Sequence, residues 1–204
     1  MENTDHPIDA VILAAGASRR MGQPKQLLTH QGVPLLRYTA LQVLRTGIRR
    51  LVVVLGAYVD QIAPVLADLP IYTAVNTDWE MGMSTSLRCG LSQLESPEPT
   101  GVLLLVGDQP AVHPDLLQQL LQAFRQGAFP IVTSGYEGIA GVPAVISRQF
   151  FEELQQLSGD KGARVLFKKY AHLVQIIPFP EGSRDIDTPE DAQKWLENDE
   201  PTGT

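Results

Sequence analysis

A chain of 204 residues with 44% hydrophobic content can bury a sizeable core, yet it is short enough to form one domain. Its formal charge of −7 excludes non-specific nucleic-acid binding, which needs a basic face. No apolar run approaches the roughly 20 residues of a membrane span, and the one cysteine, Cys89, can form no intramolecular disulfide. A lone thiol fits a reducing compartment. Met1 to Pro7 carries neither a basic n-region nor an apolar h-region, so no signal peptide is expected and the chain reads as cytoplasmic.

In chain order, Ile8 to Ala14 is a short apolar strand broken only by Asp9. A loop to Lys25 follows, and the apolar pattern resumes at Leu27. Pro34 sits where a helix can start, with Leu36, Ala40, Val43 and Leu44 in helical period and Gly47 at its end. The run Arg50-Leu-Val-Val-Val-Leu55 is apolar after its first residue, the mark of a strand buried on both faces. A helix around Asp60 to Ala67 and a strand at Ile71 to Val75 come next. Ser84 to Leu94 is helical, with Leu87, Leu91 and Leu94 on one side.

Gly101 to Val106 is another buried strand, ending at Gly107-Asp108-Gln109-Pro110. A helix over Pro114 to Gln126 and strands at Phe129 to Thr133 and Pro143 to Ser147 follow. Helices near Arg148 to Leu157 and Ala163 to Tyr170 precede a last strand, Leu173 to Phe179. A closing helix begins at Thr188-Pro189-Glu190-Asp191, where Thr can cap, Pro suits the first turn and acids suit the positive helix end. Repeated strand–helix units with doubly buried strands predict a single-domain, Rossmann-like α/β fold: a mostly parallel sheet with helices on both faces. The expected organisation is a domain over 8–197 between flexible ends at 1–7 and 198–204. Ligands in such sheets collect at the carboxyl ends of the strands, which puts the first loop, the segment from Asn76 to Ser86 and Asp108 on one rim.

The first loop, Leu13-Ala14-Ala15-Gly16-Ala17-Ser18-Arg19-Arg20-Met21-Gly22-Gln23-Pro24-Lys25, gathers three cations within seven positions. Gly16 lets the main chain approach a ligand, and amides exposed in such a bend can cradle an anion. With Arg19, Arg20 and Lys25 the loop is suited to polyphosphate, although glycine loops after a first strand are common and surface arginines usually only solvate. Gly16 and Gly22 do not form G-x-G-x-x-G, and Lys25 lacks the flanking residues of a P-loop. Asp108, directly after a buried strand, is an economical ligand for Mg2+, which commonly binds one or two carboxylates plus substrate phosphates. The competing reading is that it satisfies amides of its own turn. Asp187, just before a helix start, is comfortable there with or without a metal. The four histidines, His6, His30, His113 and His172, show no ligand spacing, and Cys89 reads as helix packing.

The pattern Leu13-Ala14-Ala15-Gly16-x-Ser18-x-Arg20-Met21-Gly22-x-x-Lys25-x-Leu27-Leu28 resembles the signature loop of the nucleotidyltransferases that activate sugars, polyols and the molybdenum cofactor. It is most similar to the molybdenum cofactor cytidylyltransferase branch, because a double Ala precedes Gly16 where guanylyltransferase relatives tend to carry Ala-Gly-Gly. The resemblance runs from residue 8 to about 197. It implies a nucleotide-diphospho-sugar transferase type of fold and Mg2+-dependent transfer of CMP from CTP to molybdopterin, with release of pyrophosphate. A molybdoenzyme or its chaperone would be the protein partner, and neither nucleic acid nor membrane is expected.

On this reading Lys25, Arg20 and Asp108 are catalytic, and Asp108 and Asp187 hold the metal. Leu13, Ala14, Ala15, Gly16, Arg20, Lys25, Asn76, Gly82, Ser84 and Ser86 bind the nucleotide. Gly138-x-x-Gly141-Val142-Pro143 and Gly159-Asp160-Lys161-Gly162-Ala163-Arg164 match the acceptor side, assigning Gly141, Pro143, Asp160 and Arg164 there. Val142 departs from the pattern, which commonly has a polar residue, often His. Transfer of a cytidylyl or uridylyl group to a sugar or polyol phosphate stays open, as does a carrier that delivers the finished cofactor.

Overall fold

The computed structural model describes residues 7–30, 32–94, 98–183, 186, 188 and 190–193. Its strands are β1 (Ile8–Leu13), β2 (Thr29–His30), β3 (Val33–Pro34), β4 (Leu51–Leu55), β5 (Tyr72–Val75), β6 (Gly101–Val106), β7 (Ile131–Tyr136), β8 (Ile139–Ser147) and β9 (Val174–Pro178). The α-helices are α1 (Leu35–Leu44), α2 (Val59–Ile62), α3 (Met83–Leu91), α4 (Pro114–Arg125), α5 (Phe151–Gln155) and α6 (Arg164–Lys169). Seven strands form one sheet in the order β5-β4-β1-β6-β8-β7-β9, while β2 and β3 make a small separate hairpin. Only β8 runs against its neighbours β6 and β7.

Alternation along the strands divides the core into two layers. Ile12, Val53 and Leu105 point to the face covered by α1 and α4, through Leu36, Ala40, Leu117 and Leu120. Val11, Val52, Val54 and Leu104 point the other way, onto Leu87 and Leu91 of α3, Leu154 of α5, and Leu166 and Phe167 of α6. Strands apolar on both faces therefore have a helix waiting on each side, as a mostly parallel sheet requires.

The chain crosses from β1 outward to β4 and β5, then returns to the other side of β1 as β6. The connections leaving β1 and β6 therefore diverge, and that switch point opens a crevice above their carboxyl ends. Leu13 ends one strand and Val106 the other, so the first loop and Asp108 face each other from the outset.

Two departures from the sequence expectation have local causes. The strand expected at Pro143 to Ser147 reaches back to Ile139 as β8, and a turn at Glu137 and Gly138 closes its hairpin on β7. Ala144 pairs with Thr133 and Gly141 with Ser134, which leaves Val142 and Pro143 without partners on β7 at a bulge. A proline, which lacks an N–H, is accommodated in a sheet at such a break. The helix expected over Asp60 to Ala67 divides into α2 and a 3-10 turn, Ala63–Leu66, with Pro64 in its first turn. Of the closing helix, residues 190–193 are helical, while Pro189 and Asp187 lie outside the described residues.

Asp9, the one break in β1, is fully buried, and Arg49 answers it with Nε on Oδ1 at 2.8 Å and Nη2 on Oδ2 at 2.7 Å. That contact raises the guanidinium pKa of Arg49. Arg49→Met would leave the carboxylate buried without its partner. The Arg49 side chain is 31% exposed, so water moderates the loss; about 1–2 kcal/mol of stability should go, below the several kcal/mol of a fully sequestered pair. Urea unfolding of the variant measures it as a lowered midpoint with an unchanged slope.

Candidate active site

The crevice above β1 and β6 holds two adjoining clefts. The first, of about 450 Å3, is lined by Leu13, Ala14, Ala15 and Gly16 of the loop, with Lys25 and Gln26, by Trp79, Gly82, Met83 and Ser86 opposite, and by Asp108 and Asp160. The second, of about 480 Å3, runs beside it under Leu87, Leu104, Tyr136 and Val142 toward Lys161 and Arg164. Leu13, Met83, Val106, Asp108 and Asp160 line both clefts and form their common wall.

The loop owes its shape to a residue the sequence reading passed over. Gln26, buried beneath the bend, donates from Nε2 to the carbonyls of Ala14 at 3.0 Å and Gly16 at 3.1 Å. Ser18 sits at φ 50 and accepts the Lys25 N–H on its hydroxyl at 3.3 Å. These bonds fix the start of the 3-10 turn Lys25–Leu27 and carry the lysine across the crevice. There the Lys25 ammonium pairs with Oδ2 of Asp108; the two side chains are only 16% and 21% exposed. The other oxygen, Asp108 Oδ1, is buried and accepts no hydrogen bond among the described residues. A polar atom buried in this way carries a free-energy cost unless something completes it.

The two arginines of the first loop are set differently. The Met21 N–H bonds back to the Ser18 carbonyl at 2.9 Å, so Arg19 and Arg20 occupy the tip of a turn anchored by buried Met21. Both are exposed; Arg19 lines the first cleft and lies 3.8 Å from Glu80 across its mouth, while Arg20 is not among the residues that line either cleft. Register alone could not tell the two arginines apart.

Asn76 is held by its own neighbours. Its Nδ2 donates to Thr85 Oγ1 at 2.8 Å and Ser86 Oγ at 3.0 Å, and its Oδ1 accepts the Asp78 N–H at 3.0 Å. The whole amide is engaged in bracing the entry to α3, and only Ser86 of that set reaches the cleft. Ser84 is buried off the cleft, and its N–H donates to the Gly159 carbonyl at 3.1 Å. Arg88 of α3 donates to the Leu157 carbonyl at 2.8 Å. Asp187 lies outside the described residues. Among the described residues no group of three or more His, Cys, Asp or Glu side chains is placed to hold a metal ion.

Asp160 and Arg164 line the second cleft, whereas Gly141 and Pro143 are not among its lining residues. Gly141 is glycine because a Cβ there would come within 2.5 Å of the Tyr136 hydroxyl. Tyr136, unnoticed in the sequence, forms a wall of the cleft, and the Arg164 guanidinium donates to its hydroxyl while lying 5.7 Å from the ring centre. Gln109 and Lys161 complete the polar part of the lining. His113 caps α4, accepting the Leu116 N–H on Nδ1 at 3.3 Å. Burial in α3 pushes the Cys89 thiol pKa up, which disfavours the reactive thiolate. No helix among the described residues is long and apolar enough to cross a membrane.

This geometry can be set beside known proteins. The family model "MobA-like NTP transferase domain" matches residues 10–174. Nicotine blue oxidoreductase of Paenarthrobacter nicotinovorans is 31% identical, over 96% of this chain and all of that protein. The GlmU bifunctional protein of Halorhodospira halophila is 39% identical over 56% of this chain, which spans only 24% of its length. Among solved structures, Rv0371c of Mycobacterium tuberculosis superposes with a TM-score of 0.82 at 32% identity, covering 95% of this chain and all of that one. Rv0371c has also been solved in complex with manganese. At 21% identity, and so evidence for the fold alone, a nucleotidyltransferase of Methanothermobacter superposes with a TM-score of 0.79. The chain belongs to the MobA-like NTP transferase domain family and is an enzyme of the nucleotidyltransferase type.

Proposed function

We propose that the protein transfers CMP from CTP to a molybdopterin-type acceptor in a Mg2+-dependent reaction that releases pyrophosphate. The observation that carries this reading is the Lys25–Asp108 pair on the rim shared by two adjoining clefts. One cleft takes the nucleotide, the other the acceptor, and the α-phosphorus lies between them. An oxygen of the acceptor phosphate forms the new bond to that phosphorus as its bond to the β-phosphate bridging oxygen breaks. The acceptor phosphate is already anionic, so no general base is needed; alignment and charge neutralisation suffice.

The residues fit a divalent cation: Asp108 offers one carboxylate oxygen that no group among the described residues completes. Asp108, with Asp187 as its expected companion, would hold the ion. When bound, it supplies charge neutralisation to the triphosphate. Lys25 and the amides of the first loop hold the phosphates, with Arg19 at the mouth of the cleft. Leu87, Leu104, Val106, Tyr136 and Val142 give the second cleft apolar walls, which suit a flat fused ring better than a hydroxyl-covered sugar. Val142, the departure from the acceptor pattern, is part of that apolar surface. Lys161 and Arg164 suit the acceptor phosphate. A carrier without catalysis would have no use for a lysine and a carboxylate converging on one point.

Pyrophosphate release from purified protein tests the reading, with molybdopterin-type cofactor as acceptor and CTP or GTP as donor in Mg2+. Release that depends on acceptor and CTP is expected. Release with a sugar 1-phosphate instead would reassign the acceptor. Dye reduction by a nicotinamide cofactor with no pyrophosphate release would overturn transfer altogether, and the relative named as an oxidoreductase makes that the natural control.

A further inference from the structure

Lys25 and Asp108 raise a question about binding order. The carboxylate suited to a divalent cation already holds a cation of the protein's own. The pair is largely buried, and the second carboxylate oxygen, Oδ1, is shielded and has no hydrogen-bond partner among the described residues. A buried carboxylate without a counter-charge is strongly destabilising, so the lysine stabilises the empty site. It also obstructs it: an ammonium and a divalent ion on one carboxylate repel each other at close range, in a setting less screened than water. The Lys25 backbone cannot yield, because Ser18 Oγ accepts its N–H and the Leu28 N–H bonds its carbonyl at 3.1 Å. The four-carbon stem can, since lysine is a point charge on a flexible chain. Lys25 also lines the nucleotide cleft, where a triphosphate would present a larger negative charge than one carboxylate.

We propose that Lys25 is a gate: its ammonium occupies the cation seat on Asp108 until the nucleotide draws it away, so that divalent cations bind tightly only with or after the nucleotide. This rests on the transferase reading of the two clefts, and its test is separable from turnover. Mn2+ binding to the full chain is followed by loss of the free-ion signal in electron paramagnetic resonance. Without nucleotide, wild-type protein should bind Mn2+ weakly, and Lys25→Met should bind it about tenfold or more tightly, within the range of ordinary coupling between sites. Lys25→Arg, which keeps the charge, should stay near wild type. With a non-hydrolysable CTP analogue the wild type should tighten, while Lys25→Met should gain much less.

Equal Mn2+ affinity of Lys25→Met and wild type without nucleotide would overturn the gate, as would Lys25→Arg binding as tightly as Lys25→Met. Should Lys25→Met fail to fold, the wild type carries the test. The resonance of a 13C-methylated Lys25 amine should shift on adding the analogue without metal, and an unmoved resonance overturns the gate. A wild-type protein that binds neither the analogue nor Mn2+ would remove the transferase reading and the gate together. One that binds both, with no gain in Lys25→Met, removes the gate alone.

Discussion

Asp108→Asn should reduce pyrophosphate release by about 10^2- to 10^3-fold, the scale on which single charge-stabilising groups act in transition states. Asparagine keeps the shape of the side chain and removes the charge, so the fold and both clefts should survive. Two things are lost together: the charge of the carboxylate that Lys25 contacts and the oxygen expected to seat a divalent ion. The loss should fall mainly on kcat, because Asp108 stands where the clefts meet, and the first cleft keeps its loop lining. Steady-state kinetics with thermal unfolding as a control decides the matter. Near-normal turnover of a folded variant would strip Asp108 of its role.

Gly82→Ala should be the most damaging single methyl group at the site. Gly82 lies at φ 106, a region that side chains rarely adopt. A Cβ there would sit 2.4 Å from the carbonyl carbon of Gly159, 2.5 Å from its oxygen and 2.8 Å from the Asp160 nitrogen. All three are backbone atoms, so no rotamer change relieves the contact. Strain and clash together should cost about 2–4 kcal/mol. For a chain of this size the fall in Tm should be on the order of 5–15 °C. Because Asp160 lines both clefts, nucleotide affinity should fall as well. Gly159→Ala provides the contrast: its φ is 64, but nothing lies within 4 Å of the added Cβ. It should lose much less, and calorimetry on the pair separates backbone strain from the loop contact. Equal losses in the two variants would mean that the loops do not need their close approach.

The first loop and Asp108 were legible because each follows an apolar strand directly, and a parallel sheet sends such strand ends to the same rim. What the sequence could not convey was direction. Arg19 and Arg20 are equivalent in spacing, and only the turn anchored by Met21 places one at the cleft and leaves the other outside its lining. Asn76 carries groups suited to a base, yet Thr85, Ser86 and Asp78 come close enough to engage all of them. Gln26 reads as a polar interruption in an apolar run, and its role depends on carbonyls at positions 14 and 16 that approach it only after the loop has closed.

From the sequence alone come the doubly buried strands, the strand–helix alternation and a small cationic bend after the first strand, because periodicity and local chain geometry are properties of neighbouring residues. The tertiary structure alone decided that Lys25 meets Asp108 across 83 positions of chain, and that Tyr136, Val142 and Arg164 build one cleft wall. It also decided that Gly82 must lack a side chain because Gly159 is pressed against it. Those facts depend on strand order and on which backbone touches which, and no local pattern of residues encodes a contact made between distant segments.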